Sequence, residues 1–206
     1  MLEIWGRATS SNVQKVLWCC AELGIAHRRY DVGREFGGNR TPEYLHMNPN
    51  GLVPTVRDGD LVIWESNTIQ RYLASRYGDG ALYPPRLSAR SQVDRWLDWE
   101  LGTLAPTILP VFWGLIRTPP PARNEAAIAA SLKSLIELWQ IFDRQLADQK
   151  YIAGDSLTLA DIAMGNSIHR WYAFPIERPD LAHLKAWHER ISQRPGFREH
   201  IAKPVV

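Results

Sequence analysis

The sequence changes character near Gly78, and that change limits the available folds more than any single motif does. Every strand-like run lies before it: "LEIW" (2–5), "HRRYDV" (27–32) and the two runs inside "VPTVRDGDLVIW" (53–64), all short and bounded by turn residues. Beyond "GDGALYPPRLS", a linker rich in Gly and Pro, only helical spacing is found. In the first stretch, Val13, Val16, Leu17, Cys20 and Leu23 mark a helix over 12–23 that Gly24 ends. Asp58-Gly59 joins the last two strands as a hairpin, and Ile69, Tyr72 and Leu73 mark a helix over 65–77. The order βαβ, loop, ββα forces a mixed four-stranded sheet, because a crossover makes its strands parallel and a hairpin makes its strands antiparallel. The expected organisation is an α/β domain at 1–78, a linker at 79–87 and an all-α helical bundle at 88–206.

Four helical stretches are expected in the second half: 88–117, bent by Pro106 and Pro110 and stopped by "TPPP"; 123–148; 158–173; and 180–193. The third start is the best specified, and it predicts a rigid buried helix beginning at residue 159. Thr158 and Asp161 have the spacing of a capping box, and Leu157 and Ile162 that of the accompanying hydrophobic staple. This is a folding signal without chemistry attached.

Composition removes several functional classes. With 45% hydrophobic and 22% charged residues the chain has ordinary globular content, and its net charge of +2 is scattered, so no nucleic-acid partner is indicated. The uncharged run 101–116 is too short for a bilayer and carries two prolines, and the N-terminus lacks a signal-peptide pattern. The expectation is a cytoplasmic chain with no membrane partner. Cys19 and Cys20, adjacent in a helix, cannot form an ordinary disulfide with each other and read as reduced, packed thiols. The six histidines fall at no metal-ligand spacing, so no metal is expected.

Within "NPNGLVPTV" (48–56), Pro54 stands at the mouth of a strand. It cannot donate to a ladder, so it belongs at a strand's start or edge. A cis Val53–Pro54 bond would turn the chain and leave the Val53 N–H and C=O facing outward for an extended peptide-like ligand. From spacing alone a cis bond is the minority state, about 5–6% of X-Pro bonds.

These residues carry a resemblance. "NPNGLVP", then "ES" at 65–66, "SSNVQKVLW" at 10–18 and "LTLADI" at 157–162 resemble, in order and across essentially the whole chain, the cytosolic glutathione transferases of the phi- and theta-like serine type. The resemblance implies a thioredoxin-like first domain with a cis proline and an all-helical second domain. It also implies a homodimer formed through the first domain's third helix and the second domain's first. The activity implied is conjugation of reduced glutathione, as co-substrate, to a small hydrophobic electrophile, or reduction of a peroxide. A non-catalytic binding or regulatory relative is the alternative. Maleylacetoacetate isomerisation ranks lower, because those relatives resemble "SSC" where this chain has Asn12 after the serines.

Each site residue has a functional and a plain structural reading. Glu65 and Ser66 open a helix whose N–H groups favour a carboxylate, and the resemblance makes them holders of the γ-glutamyl head, Glu65 on its ammonium; as a structural pair they only cap the helix. In "TSSN" (9–12), Ser11 and Gln14 form a capping box, which leaves Ser10 free. By resemblance Ser10 donates to the glutathione thiolate, with Asn12 as the second candidate and Thr9 and Ser11 behind them. Lowering a thiol pKa from about 8.5 to about 6.5 requires ~2.7 kcal/mol; one hydrogen bond to a charged group gives about 1.5–3, and a helix N-terminus about 0.3–1. Arg40, with Asn39 or His46, falls to the glycine carboxylate, or is a solvated loop residue; Leu52 departs from the family's Lys or Gln before "VP". Asn67 replaces the family's usual Asp. Phe112, Trp113 and Arg117 are candidates for an electrophile pocket between the domains, while Trp96, Trp99 and Trp139 are read as packing.

Overall fold

The structure, a computed structural model, describes residues 1–205. Strand β1 (Leu2–Trp5) leads into helix α1 (Ser11–Leu23), followed by β2 (His27–Tyr30), a short α2 (Pro42–Met47), the hairpin β3 (Thr55–Asp58) and β4 (Leu61–Trp64), and α3 (Ser66–Tyr77). The sheet order is β2-β1-β3-β4, with β1 parallel to β2 and the other pairs antiparallel. Ile4 faces Val56 across the β1–β3 register, and both are fully buried. The hairpin turn falls one residue later than expected. Asp58 pairs with Leu61, so Gly59 and Asp60 make the turn, with Gly59 at φ 60°, and the Asp58 carboxylate accepts from Tyr72 of α3 at 2.8 Å.

Helix α1 is buried almost all round because the sheet and the helical half both pack on it. Val13, Val16 and Cys20 are inaccessible, and Gly24 ends the helix at φ 63°. Trp18 is gripped from the other half: a Cβ on either Gly165 or Gly196 would stand 2.4 Å from its ring, so only glycine allows that approach. Cys19 and Cys20 are free thiols, and burial pushes Cys20 up to about 12 and Cys19 well above its ordinary value, which leaves both unreactive.

In the second half, α4 (Leu87–Trp99) and α5 (Ala105–Phe112) run as one 31-residue helix to Arg117. Two π-helical segments, Glu100–Leu104 and Trp113–Arg117, interrupt it. Pro106 and Pro110 cannot donate one turn back and their rings crowd the carbonyl there; the wider turns absorb this, with the Ala105 N–H reaching Glu100 O. An 18-residue window of this helix reaches a mean hydropathy of 1.2, and its apolar side, with Leu97, Leu104, Ile108 and Val111, is a wall of the core. Then come α6 (Glu125–Gln145), α7 (Leu159–Ala173), α8 (Ala182–Ser192) and α9 (Pro195–His200).

The capping box at α7 extends further than its sequence signal. Asp161, fully buried, accepts from the Thr158 N–H at 2.9 Å and hydroxyl at 3.1 Å, and also from the Ile152 N–H at 3.0 Å and Trp187 Nε1 at 2.8 Å. One carboxylate thereby ties the loop before α7 to α8. Trp96 and Trp139 pack as expected, edge-on to Phe142 with centroids 5.4 and 5.6 Å away, and Trp99 joins Trp96 at 5.1 Å.

Candidate active site

The loop between β1 and α1 is held from both halves of the molecule. Gly6 leaves the strand so close to the loop before β3 that a Cβ on it would lie 3.2 Å from the Val53 Cβ. Asn166 of α7 donates from Nδ2 to the Ser11 carbonyl at 3.1 Å. The expected cap is displaced by one residue. Ser10 is the N-cap, extended at φ −81°, ψ 123°, and α1 begins at Ser11. The Ser10 carbonyl accepts the Gln14 N–H at 2.9 Å, but its hydroxyl makes no capping hydrogen bond. The capping-box spacing of Ser11 and Gln14 is therefore unused, because Ser11 already has helical backbone. The result is a hydroxyl on a buried residue, Ser10 being 8% exposed, at the positive end of a helix and without a capping duty.

Ser66, buried at the start of α3, comes to this loop: its hydroxyl donates to Asn12 Oδ1 at 3.4 Å. Glu65 before it is exposed and holds φ 72°, ψ 112°, a conformation rare for a residue with a Cβ, and its carboxylate does not cap the helix. Neither acidic side chain nor hydroxyl here is consumed by capping, contrary to the plain structural reading. Asn67 turns away from this edge: its Nδ2 donates to the Leu97 carbonyl of α4 at 3.1 Å, a bond a carboxylate in its place cannot give.

The Val53–Pro54 bond is cis. The loop before it is fixed by a buried polar cluster that the sequence analysis did not single out. The Tyr44 hydroxyl reaches the Leu52 carbonyl at 2.6 Å and Thr55 Oγ1 at 2.9 Å, and Asn48 Nδ2 donates to the same two groups at 3.0 and 3.1 Å. Asn48 Oδ1 also accepts the Asn50 N–H at 3.1 Å, an Asx turn that the "NPN" spacing advertises. Among the described residues, Val53 makes no main-chain hydrogen bond through its N–H or C=O. Asn39 donates to the Gly51 carbonyl at 2.7 Å and Arg40 to the Asn50 carbonyl at 3.3 Å, so Arg40 braces this loop while its exposed guanidinium retains free N–H groups. His46 is exposed and Leu52 is 60% exposed.

Beside the Ser10 loop lies a cavity of about 430 Å³ with Thr9, Gln14, Phe112, Asn166 and Arg170 in its wall. Ser10 itself lies one residue behind the wall. Phe112 is where the sequence placed it. Trp113 is not in the wall and is 48% exposed, because it falls on the outer side of the second π turn. Arg117 reaches the cavity only through Phe112, its guanidinium carbon lying 5.4 Å from that ring. Among the described residues no group of three or more His, Cys, Asp or Glu side chains is placed to hold a metal ion.

Residues 9–76 match the family model for the glutathione S-transferase N-terminal domain, and residues 104–195 that for its C-terminal domain. Glutathione S-transferase GstB of Escherichia coli is 39% identical over the full length of both chains. The chain belongs to the glutathione S-transferase family. Glutathione S-transferase 3 of Zea mays is 31% identical over 98% of this chain and 93% of its own. Among solved structures, the theta-class glutathione S-transferase of Xanthomonas axonopodis pv. citri, crystallised with glutathione bound, superposes with a TM-score of 0.94 at 46% identity, covering 100% of this chain and 99% of its own. The mixed sheet followed by a helical half is the architecture of this transferase family, and the enzyme class follows from the same relatives.

Proposed function

We propose that this transferase binds reduced glutathione along the edge formed by Val53, Glu65 and Ser66, ionises its thiol at Ser10 and adds the thiolate to an electrophile in the adjoining cavity. The observation that carries the reading is the Ser10 hydroxyl, which sits at the N-terminus of α1 without a capping bond. Its donation to a sulfur anion, with the helix N-terminus, supplies about 2–4 kcal/mol, enough to lower a thiol pKa by about two units. Val53 offers its unpaired N–H and C=O to the tripeptide backbone, Pro54 sets their direction, and Ser66 offers its N–H to the γ-glutamyl carboxylate, together with its hydroxyl in exchange for the long 3.4 Å contact with Asn12 Oδ1. Glu65 takes the ammonium. Arg40, with Asn39, takes the glycine carboxylate. Asn12, joined to Ser66, stands as the second donor near the sulfur. The reading includes the division at 1–78, 79–87 and 88–206, a homodimer and a cytoplasmic location.

The test is the ultraviolet thiolate band of bound glutathione titrated against pH. The parent should show a thiol pKa depressed by about two units, and Ser10→Ala should return most of that shift. Coincident curves would remove Ser10 from the role and assign it to Asn12.

A further inference from the structure

Two arginines meet at Phe112, in the wall of the cavity beside the Ser10 loop. Arg170, in its wall, stands 4.3 Å over the Phe112 ring, and Arg117 stands 5.4 Å from the same centroid. The two guanidiniums are therefore no farther apart than about 10 Å, a Debye length at ordinary ionic strength. Burial and then the like charge of Arg117 disfavour the charged form of Arg170; burial and then Arg34 do the same to Arg7, whose Nε is buried without a partner. Among the described residues, neither Arg170 nor Arg117 makes an ion pair or a hydrogen bond to a carboxylate.

The available acids do not fill this gap. Glu100, which attracts Arg170, is committed to Lys15 at 2.7 Å. Glu35 attracts Arg7 from an exposed position. On the cavity wall, Glu199 lies 3.8 Å from His200 and shares the wall with the cationic Lys203, whose carbonyl His169 Nε2 contacts at 2.7 Å. Two cations on one aromatic ring repel each other, and an anion held at Arg170 in the cavity offsets that repulsion. A cavity for a purely apolar electrophile has no need of the arrangement.

We infer that the cavity selects electrophiles carrying a carboxylate or a similar anionic group, with Arg170 as the specificity-determining residue and Arg117 assisting through its charge at the same ring. The inference rests on the transferase reading above. With an aryl halide that carries the carboxylate, the glutathione thiolate bonds to the ring carbon and the halide leaves with its bonding pair. The thiol proton has already gone to solvent, and the carboxylate is unchanged.

The probes are 4-chloro-3,5-dinitrobenzoate and its neutral carboxamide, with rates divided by the uncatalysed rate of each with glutathione. The expected result is a kcat/KM preference for the anion of about tenfold or more, matching one hydrogen bond to a charged group. Arg170→Met should abolish that preference through KM for the electrophile, Arg170→Lys should restore part of it, and Arg117→Met should reduce it. Unreactive 3,5-dinitrobenzoate should inhibit the parent protein more strongly than 3,5-dinitrobenzamide. Equal treatment of the two electrophiles by a parent that shows the thiolate band would overturn the inference and leave the transferase reading standing. A rise in KM for glutathione alone in Arg170→Met would also overturn it, by assigning the arginines to the tripeptide. Absence of the thiolate band in the parent would remove both.

Discussion

Lys15 and Glu100 form the one contact between the halves whose loss should be both large and recoverable. Lys15 lies on α1, one turn past Ser11, and its Nζ stands 2.7 Å from Glu100 Oε2 in the first π segment, with each side chain only 4% exposed. Lys15→Met leaves a carboxylate in the core with no replacement donor, which costs about 3–5 kcal/mol. For a chain of this size that is roughly 6–20 °C in Tm. Lys15→Met combined with Glu100→Leu removes both charges and should return to within about 1–2 kcal/mol of the parent, because desolvating the pair costs nearly as much as the attraction gives. The substitution at 100 leaves intact the Glu100 carbonyl that accepts Ala105 in the π turn. Urea denaturation of the four proteins at one fixed protein concentration gives the cycle. A single-variant loss below about 1 kcal/mol, or a double variant equal to the sum of the singles, would refute the claim that the pair is dry and mutually dependent. Since α1 carries the Ser10 loop, the single variant should also raise KM for glutathione.

Three further outcomes are expected. Glu65→Gly frees a residue held at φ 72°, which should stabilise the fold by about 1 kcal/mol once glycine's unfolded-state freedom is counted, yet weaken glutathione binding about tenfold or more through the lost carboxylate; calorimetry of both quantities checks it. Tyr44→Phe removes the hydroxyl bonded to Leu52 and Thr55 and should cost about 1–3 kcal/mol in urea unfolding, while raising KM for glutathione more than it lowers kcat. His188 stacks on Tyr172 with centroids 4.5 Å apart, and burial, then the nearby His169, push its pKa down to about 4. The unfolded chain takes up this proton first, so the contribution is complete above about pH 6.5 and is lost as pH falls toward 4. Discounted for the ring's partial exposure, it is ~1–2 kcal/mol, and His188→Phe should flatten the stability profile over that interval.

The succession of strands and helices along the chain was legible because each rests on a repeated signal. Periodicity placed α1, α3 and α6, and the Thr158–Asp161 spacing placed the first residue of α7 correctly at Leu159. The six-residue helices α2 and α9 were missed. Each has too few turns to show a period, although Thr41 before Pro42 was a readable start, its Oγ1 accepting the Tyr44 N–H at 3.3 Å. The π segments were likewise hidden. Proline announces that a helix must yield, but whether it yields by a bend or by a wider turn depends on what packs around it, and here Glu100 is held on α1 by Lys15. The arginines at Phe112 carried no pattern at all, since Arg117 and Arg170 are brought together only by the packing of α7 against the long helix.

The displaced cap shows most directly how the fold makes the site. Sequence spacing assigned the cap to Ser11 and freedom to Ser10, whereas the chain gives Ser10 the N-cap position and still leaves its hydroxyl without a capping bond. What replaces the cap is tertiary: Asn166 holds the Ser11 carbonyl from α7, so the first turn of α1 is fixed without spending a side-chain acceptor on its N–H groups. Those N–H groups, the hydroxyl and the positive end of the helix then act on one place, and a helix end left in that condition favours an anion there. The same reasoning separates the two candidate donors. Asn12 already accepts from Ser66 through Oδ1, so its amide N–H groups remain to donate from inside the first turn, while Ser10 donates from its edge. If Ser10 dominates, Asn12→Ala should leave most of the thiol shift in place while loosening Ser66 and raising KM for glutathione; if Asn12 dominates, the two variants should exchange these effects.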